Sequence, residues 1–288
     1  MNTTCSNCGK VPSRFYRLIY CGTCYNNLYK SGTIPRLSDK QEKMPDKLTS
    51  VQEEILIGLL LGDGHIPKKL YPGKYSDGRP TSRLDVLRSQ KDKDYLLENV
   101  DSFKEFVTKK AIREQNQSSK ALDQINTARN GIPRTEKLYK GIRFMTRNHH
   151  AFGEARLRWY PNGIKIVPKD LTYLSPLAVA IWFADDGMCT KYHDNRLTIT
   201  FHTNGFTKED VERLIDILNT QFGCKLYLKF KGTYPTIHGN DQNARILLKA
   251  IDSVFPKSMS RKSSIWRDEN YGIFSNCAIH GSKNTKIE

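Results

Sequence analysis

No apolar run in this chain is longer than about ten residues, well short of the roughly 18 to 20 a membrane-spanning helix needs, so a transmembrane helix is excluded. Acid is scarce as well: 30 Asp and Glu stand against 46 Lys and Arg in 288 residues, for a formal charge of +16 and a pI near 9.5. The excess is spread through the whole chain, which favours a polyanionic partner such as nucleic acid. Ser-His-Asp order, a glycine-rich phosphate loop and an HxxxH spacing are all missing, which removes the common nucleophilic, nucleotide-binding and zinc-hydrolase signatures. The opening MNTTCSNCGK lacks the apolar core of a signal peptide. The seven cysteines are an odd number, and Cys189, Cys224 and Cys277 read as isolated buried thiols. Together these predict an intracellular, reducing location: a bacterial or phage cytoplasm, or an organelle if the gene is organellar.

The other four cysteines do form a pattern. Cys5-x2-Cys8 and Cys21-x2-Cys24 have the spacing of a tetrahedral structural zinc site, each pair chelating from one turn. Residues 1–37 are therefore expected to form a small zinc module, since a segment this poor in aliphatics needs such a staple. Four thiolates leave zinc no open position and hence no catalytic role. Leu37 to Lys47 has linker composition.

Two stretches share one grammar. Ile55 to Gly64 reads ILIGLLLGDG, and Leu177 to Gly187 reads LAVAIWFADDG, 123 residues later. Each is apolar all round with small residues four apart, Gly58 and Gly62 in the first and Ala180 and Ala184 in the second, which places them on one helix face. Interior glycine costs a helix about 1 kcal/mol relative to alanine, so a close helix-helix contact is the expected compensation. Each helix should end in a left-handed glycine cap, at Gly64 and Gly187. Just before these come Asp63 and Asp186, carboxylates at the negative end of a helix dipole, where a cation must offset them. Two touching helices would deliver both to one divalent-metal site.

At these residues the chain resembles the LAGLIDADG homing endonucleases of the single-chain, two-motif type, with Leu56 to Gly64 and Val179 to Gly187 matching the nine-letter motif. The resemblance implies an α+β fold: a pseudo-twofold duplicated αββαββα unit with two antiparallel saddle sheets, beside the zinc module. Its halves are expected at 38–170 and 171–275, with a loose tail at 276–288. It also implies site-specific, double-strand DNA cleavage with Mg²⁺ or Mn²⁺ held by Asp63 and Asp186. Gly62 and Asp185 are further metal contacts, and Asp185 is a rival to Asp186. Gln90 and Asn204 take the place of residues that order water near the scissile phosphate, and Lys165 and Lys262 match the family's basic residues. Members are commonly encoded in group I introns, so the alternative function is an RNA maturase acting on its own intron RNA.

The remaining periodicity supports a duplication. Ser50 to Glu53 reads as a capping box opening the first motif helix, and Ser175-Pro176 as the start of the second. After the first motif come a basic loop to Pro80, a strand at 83–90, a helix at 93–106, an irregular polar insertion at 112–134, a strand at 139–145 and a short helix at 148–158. His149-His150 reads as a surface pair contacting phosphate or solvent. A strand at 196–203, a helix at 207–222, a hairpin at 225–237 and a helix at 243–255 repeat that order. With both motif helices in one chain, a monomer is expected.

Overall fold

The computed structural model describes residues 44–68, 71–72, 79–108, 111–118 and 138–267, with isolated positions among the first 43. Two compact units divide the chain, Met1–Pro45 and Asp46–Glu288. In the first, β1 (Phe15–Tyr16) and β2 (Tyr20–Cys21) pair antiparallel, with Tyr16 opposite Tyr20. Cys5 and the side chain of Cys21 lie outside the described residues, and so does the expected tetrathiolate site. The tail from 276 lies outside them as well.

The second unit contains one pattern twice. Its first half runs α1 (Ser50–Leu61), β3 (Gly64–His65), a small hairpin of β4 (Tyr71–Pro72) and β5 (Pro80–Thr81), β6 (Asp85–Ser89), α2 (Lys93–Ser102), β7 (Ile112–Ser118), β8 (Leu138–Met145) and α3 (His150–Trp159). Its second runs α4 (Pro176–Asp186), β9 (Gly187–Lys191), β10 (Leu197–His202), α5 (Lys208–Phe222), β11 (Tyr227–Lys231), β12 (Tyr234–Gly239) and α6 (Asp241–Ile251), then α7 (Ser260–Arg267). With the hairpin of the first half and the closing α7 of the second set aside, each half is αββαββα. The two four-stranded antiparallel sheets have matching orders, β3-β6-β8-β7 and β9-β10-β12-β11. The expected duplicated α+β fold is the fold observed.

The motif helices hold this arrangement together. A Cβ built at Gly58 would lie 2.5 Å from the Ala178 carbonyl oxygen and 2.7 Å from Ile181 Cβ; one at Gly62 would lie 2.5 Å from Asp185 Cβ. α1 and α4 thus touch where the glycines are. The nearest atoms belong to Ala178, Ile181 and Asp185, however, and not to Ala180 or Ala184, which are buried elsewhere on α4. One helix supplies the hollows and the other the side chains that fill them.

Four expectations are corrected. The capping box is Thr49 with Gln52: the Gln52 N–H donates to Thr49 Oγ1 at 3.2 Å and the Thr49 N–H to Gln52 Oε1 at 3.0 Å. Tertiary contact selects this register over Ser50-Glu53, because buried Gln52 also donates through Nε2 to the Ser102 carbonyl at 2.9 Å. Neither Gly64 nor Gly187 has a positive φ. Glycine is needed there for space, since a Cβ would lie 2.7 Å from the Leu59 carbonyl at Gly64 and 2.3 Å from the Phe183 ring at Gly187. Residues 112–118, expected to be irregular, form the outer strand β7, whose backbone bonds come from β8 and whose side chains at 112–115 are exposed, so no apolar alternation marks it. His149 and His150 are buried: His149 accepts from the Ala151 N–H at 3.2 Å and packs on Phe106, capping α3 rather than meeting solvent.

Substituting Gly58→Leu drives a branched side chain into the α4 backbone, with an expected loss of about 2 kcal/mol or more. Equilibrium urea denaturation measures it, and an unchanged midpoint with an unchanged slope would contradict the close contact.

Candidate active site at the paired motif helices

A lysine meets the carbonyls just past the end of α1, and another meets those at the end of α4. Lys165, from the segment after α3, donates to the carbonyls of Gly62 and Gly64, both at 3.1 Å. Lys262, on α7, reaches the carbonyls of Phe183 at 3.3 Å, Ala184 at 2.8 Å, Asp185 at 3.2 Å and Gly187 at 2.8 Å. An ammonium at a helix C-terminus satisfies orphan carbonyls and opposes the negative dipole end. Burial lowers both lysines to about 8, against the pull of Asp63, Asp185 and Asp186.

Asp63 and Asp186 lie at these helix ends and sense each other. Burial, then the charges of Asp63 and Asp185, push the Asp186 carboxyl up to about 7. Asp63 is raised by burial and by Asp185, with Arg88, Lys262 and Lys165 opposing. Its side chain is 45% exposed, so the charge of Asp185 is the more persuasive part of that rise. Two carboxylates that repel each other at the meeting point of two helices suit a divalent cation. Among the described residues no cluster of three or more His, Cys, Asp or Glu is arranged for a metal, so further ligands would have to be backbone, solvent or substrate oxygens.

Asp185 occupies a different environment. Its side chain is 0% exposed; Oδ2 accepts the Asp63 N–H at 3.1 Å and Oδ1 lies 2.7 Å from Arg88 Nη1. That last contact is an ion pair without hydrogen-bond geometry, and the directed bond from Arg88 Nη1 goes to Asp63 Oδ2 at 3.1 Å. Arg88 is 4% exposed and stacks 4.1 Å from the Tyr95 ring centroid, while the Tyr95 hydroxyl donates to the Ile181 carbonyl at 3.3 Å. Sequence reasoning missed Arg88, although a signal existed: period two along β6 places it in phase with the fully buried Leu84 and Val86.

The two water-ordering candidates are less alike than their places in the repeat suggest. Gln90 directly follows β6 and is half-buried, with Oε1 lacking a hydrogen-bond partner, whereas Asn204 is exposed in the turn after β10. Val86 lies opposite Gly64 and Phe201 opposite Gly187, so three residues on, Asn204 matches Ser89, and Gln90 sits one place further.

The second sheet has one face packed on the core through Leu197, Ile199, Phe201 and Ile237. Thr198, Thr200 and His202 of β10 alternate to the other face. There His238 Nδ1 lies 3.2 Å from Thr200 Oγ1 and its Nε2 lies 3.1 Å from Thr236 Oγ1. Exposed Lys229 and Lys231 follow on β11. Hydroxyls, imidazoles and ammoniums on a sheet face suit contact with phosphates and base edges.

Comparison with known proteins agrees with this architecture. A profile described as the LAGLIDADG DNA endonuclease family matches residues 53–247, and the chain belongs to that family. It is 28% identical over 238 residues to a probable intron-encoded endonuclease 1 of Wickerhamomyces canadensis, covering 80% of this chain and 91% of that protein. The homing endonuclease I-WcaI, solved bound to its DNA recognition sequence, superposes with a TM-score of 0.62 at 26% identity over 83% of this chain and 96% of that one. A cytochrome b mRNA maturase bI2 of Debaryomyces hansenii is 31% identical over 134 residues, and the match spans 46% of this chain and about half of that protein, 49%. No helix among the described residues is long and apolar enough to cross a membrane.

The raised Asp186 carboxyl has a consequence for stability. Without metal, the folded chain keeps this proton to about pH 7 while the unfolded chain releases it near 3.8, so the group costs stability increasingly as pH rises between those values. In metal-free buffer Asp186→Asn should therefore melt higher than wild type at about pH 8 and equally at about pH 4. Thermal unfolding at the two pH values checks it, and a gain confined to the acid side would reverse the assignment.

Proposed function

We propose that the chain is a site-specific, metal-dependent DNA endonuclease of the homing type. The observation that carries this reading is the delivery of Asp63 and Asp186, from opposite halves, to the joined ends of α1 and α4 between two lysine-capped helix termini. Mg²⁺ or Mn²⁺ held by Asp63 and Asp186 would polarise the scissile phosphate and lower the pKa of an attacking water. Lys165 and Lys262 keep the surroundings positive enough for a phosphate to approach carboxylates. The partnerless Oε1 of Gln90 is a hydrogen-bond acceptor suited to orienting a water, and Asn204 offers an amide at the second half's strand end. The Gly62 carbonyl is engaged by Lys165, which makes it a weaker metal contact than the two aspartates. Asp185, enclosed and paired with Arg88, is a structural partner of Asp63 in this reading, not the rival of Asp186.

The substrate is double-stranded DNA; the similar I-WcaI was solved bound to its DNA recognition sequence, and the basic composition of this chain supplies sequence-independent affinity through phosphate contacts. One chain satisfies the helix contact internally, so it binds as a monomer. Cys5, Cys8, Cys21 and Cys24 hold one structural zinc in a separate module that adds DNA contacts. Cys8→Ser should abolish the one zinc per chain seen by native mass spectrometry, and deletion of residues 1–37 should weaken DNA binding while leaving a folded remainder.

A second reading, an RNA maturase, is favoured by the partial likeness to the cytochrome b mRNA maturase. The paired aspartates distinguish the two, because assisting RNA folding does not call for adjacent carboxylates. Asp63→Asn and Asp186→Asn should each abolish Mg²⁺-dependent cleavage of a duplex spanning the intronless insertion site, with duplex affinity retained, since that affinity rests on cations and base contacts. If wild type cuts nothing but accelerates splicing of its intron, and both variants splice equally well, the maturase reading stands instead.

A further inference from the structure

Arg88 is an expensive residue to bury. Its Nε and Nη2 atoms are enclosed without hydrogen-bond partners, and stacking on Tyr95 offsets part of that cost. Stability alone would be served as well by uncharged side chains in place of both Arg88 and its buried partner Asp185. What the guanidinium achieves is geometric: through Nη1 it touches Asp63 of its own half and Asp185 of the other, and Asp185 in turn accepts the Asp63 backbone N–H.

The repeat has no counterpart of this arrangement. Two residues beyond the strand partner of each motif glycine stand Arg88 on β6 and Thr203 directly after β10, and the Thr203 hydroxyl is already committed to the Pro235 carbonyl at 2.6 Å. Two residues before those glycines stand Gly62 and Asp185. Guanidinium and buried carboxylate therefore occur once each, on opposite halves, and both converge on Asp63.

Resting on the endonuclease reading, we infer that Arg88 is a positioning residue for Asp63, locked to the second half through Asp185, and that the two strand cuts consequently depend on it unequally. Asp63 is held through its carboxylate by Arg88 and through its backbone N–H by Asp185, while Asp186 has no equivalent guanidinium in the matching position.

The test uses the full chain and a duplex spanning the intron insertion site, its strands carrying different fluorophores, under saturating protein. Arg88→Met should slow one strand cut by about 10- to 100-fold and the other by less than about threefold, so that a duplex nicked always in the same strand accumulates. Duplex affinity should be unchanged, and Arg88→Lys, which keeps the charge, should recover part of the lost rate. In metal-free melting, Arg88→Met should lower the transition by about 10 °C, and the double variant with Asp185→Asn should regain much of that loss. Equal slowing of both strands, or Arg88→Lys no faster than Arg88→Met, overturns the positioning role while leaving the endonuclease reading intact. A wild type that cuts no such duplex overturns the endonuclease reading itself; additive melting losses overturn the lock in either case.

Discussion

The contact between α1 and α4 is the constraint from which the rest of the second unit follows. Two glycines on α1 let it approach the backbone of α4 within a distance no side chain would allow, and Ile181 and Asp185 fill the space they leave. Close approach brings two helix C-termini to one place, which is electrostatically poor even before carboxylates are added. The fold answers with Lys165 and Lys262, one for each terminus, drawn from segments far along the chain. The aspartates can then remain where a cation is needed, at a tolerable cost in the absence of one.

Much of this was legible in the residues themselves. Small residues at four-residue spacing in an all-apolar run pointed to a helix contact, and the Asp-Gly that closes both runs pointed to a paired carboxylate site. The repeated order of elements pointed to a duplication, and the resemblance implied the αββαββα form of each half. Illegible parts share a physical cause, the selection of one local option by a distant contact. Thr49 instead of Ser50 caps α1 because Gln52 must also reach Ser102. Residues 112–118 are a strand because β8 supplies their partners, and their own polar side chains betray nothing of it.

Alternation places Arg88 on the buried face of β6, against the usual tendency of a charged residue on a strand to face solvent. Its burial shows how far the two halves have diverged from each other. α1 carries hollows and α4 carries the groups that fill them; β6 carries a guanidinium where the chain just past β10 carries a threonine. The sheets meanwhile kept the same strand order. Divergence is thus concentrated at the seam, where each side had to fit a neighbour that was also changing.

The sheet order also decides where a foreign strand could attach. Of the four edge strands, β3 and β9 directly follow the motif helices, while β7 and β11 at the opposite margins present charge at exposed positions, Arg113 and Glu114 on one and Lys229 and Lys231 on the other. Such edges resist the strand addition that begins aggregation, since a bare edge is a template for any extended chain. The lysines of β11 do more than block. Two ammoniums on an edge oppose another basic strand and attract an anion, so the side chains that discourage strand addition also suit a polyanion at the sheet margin.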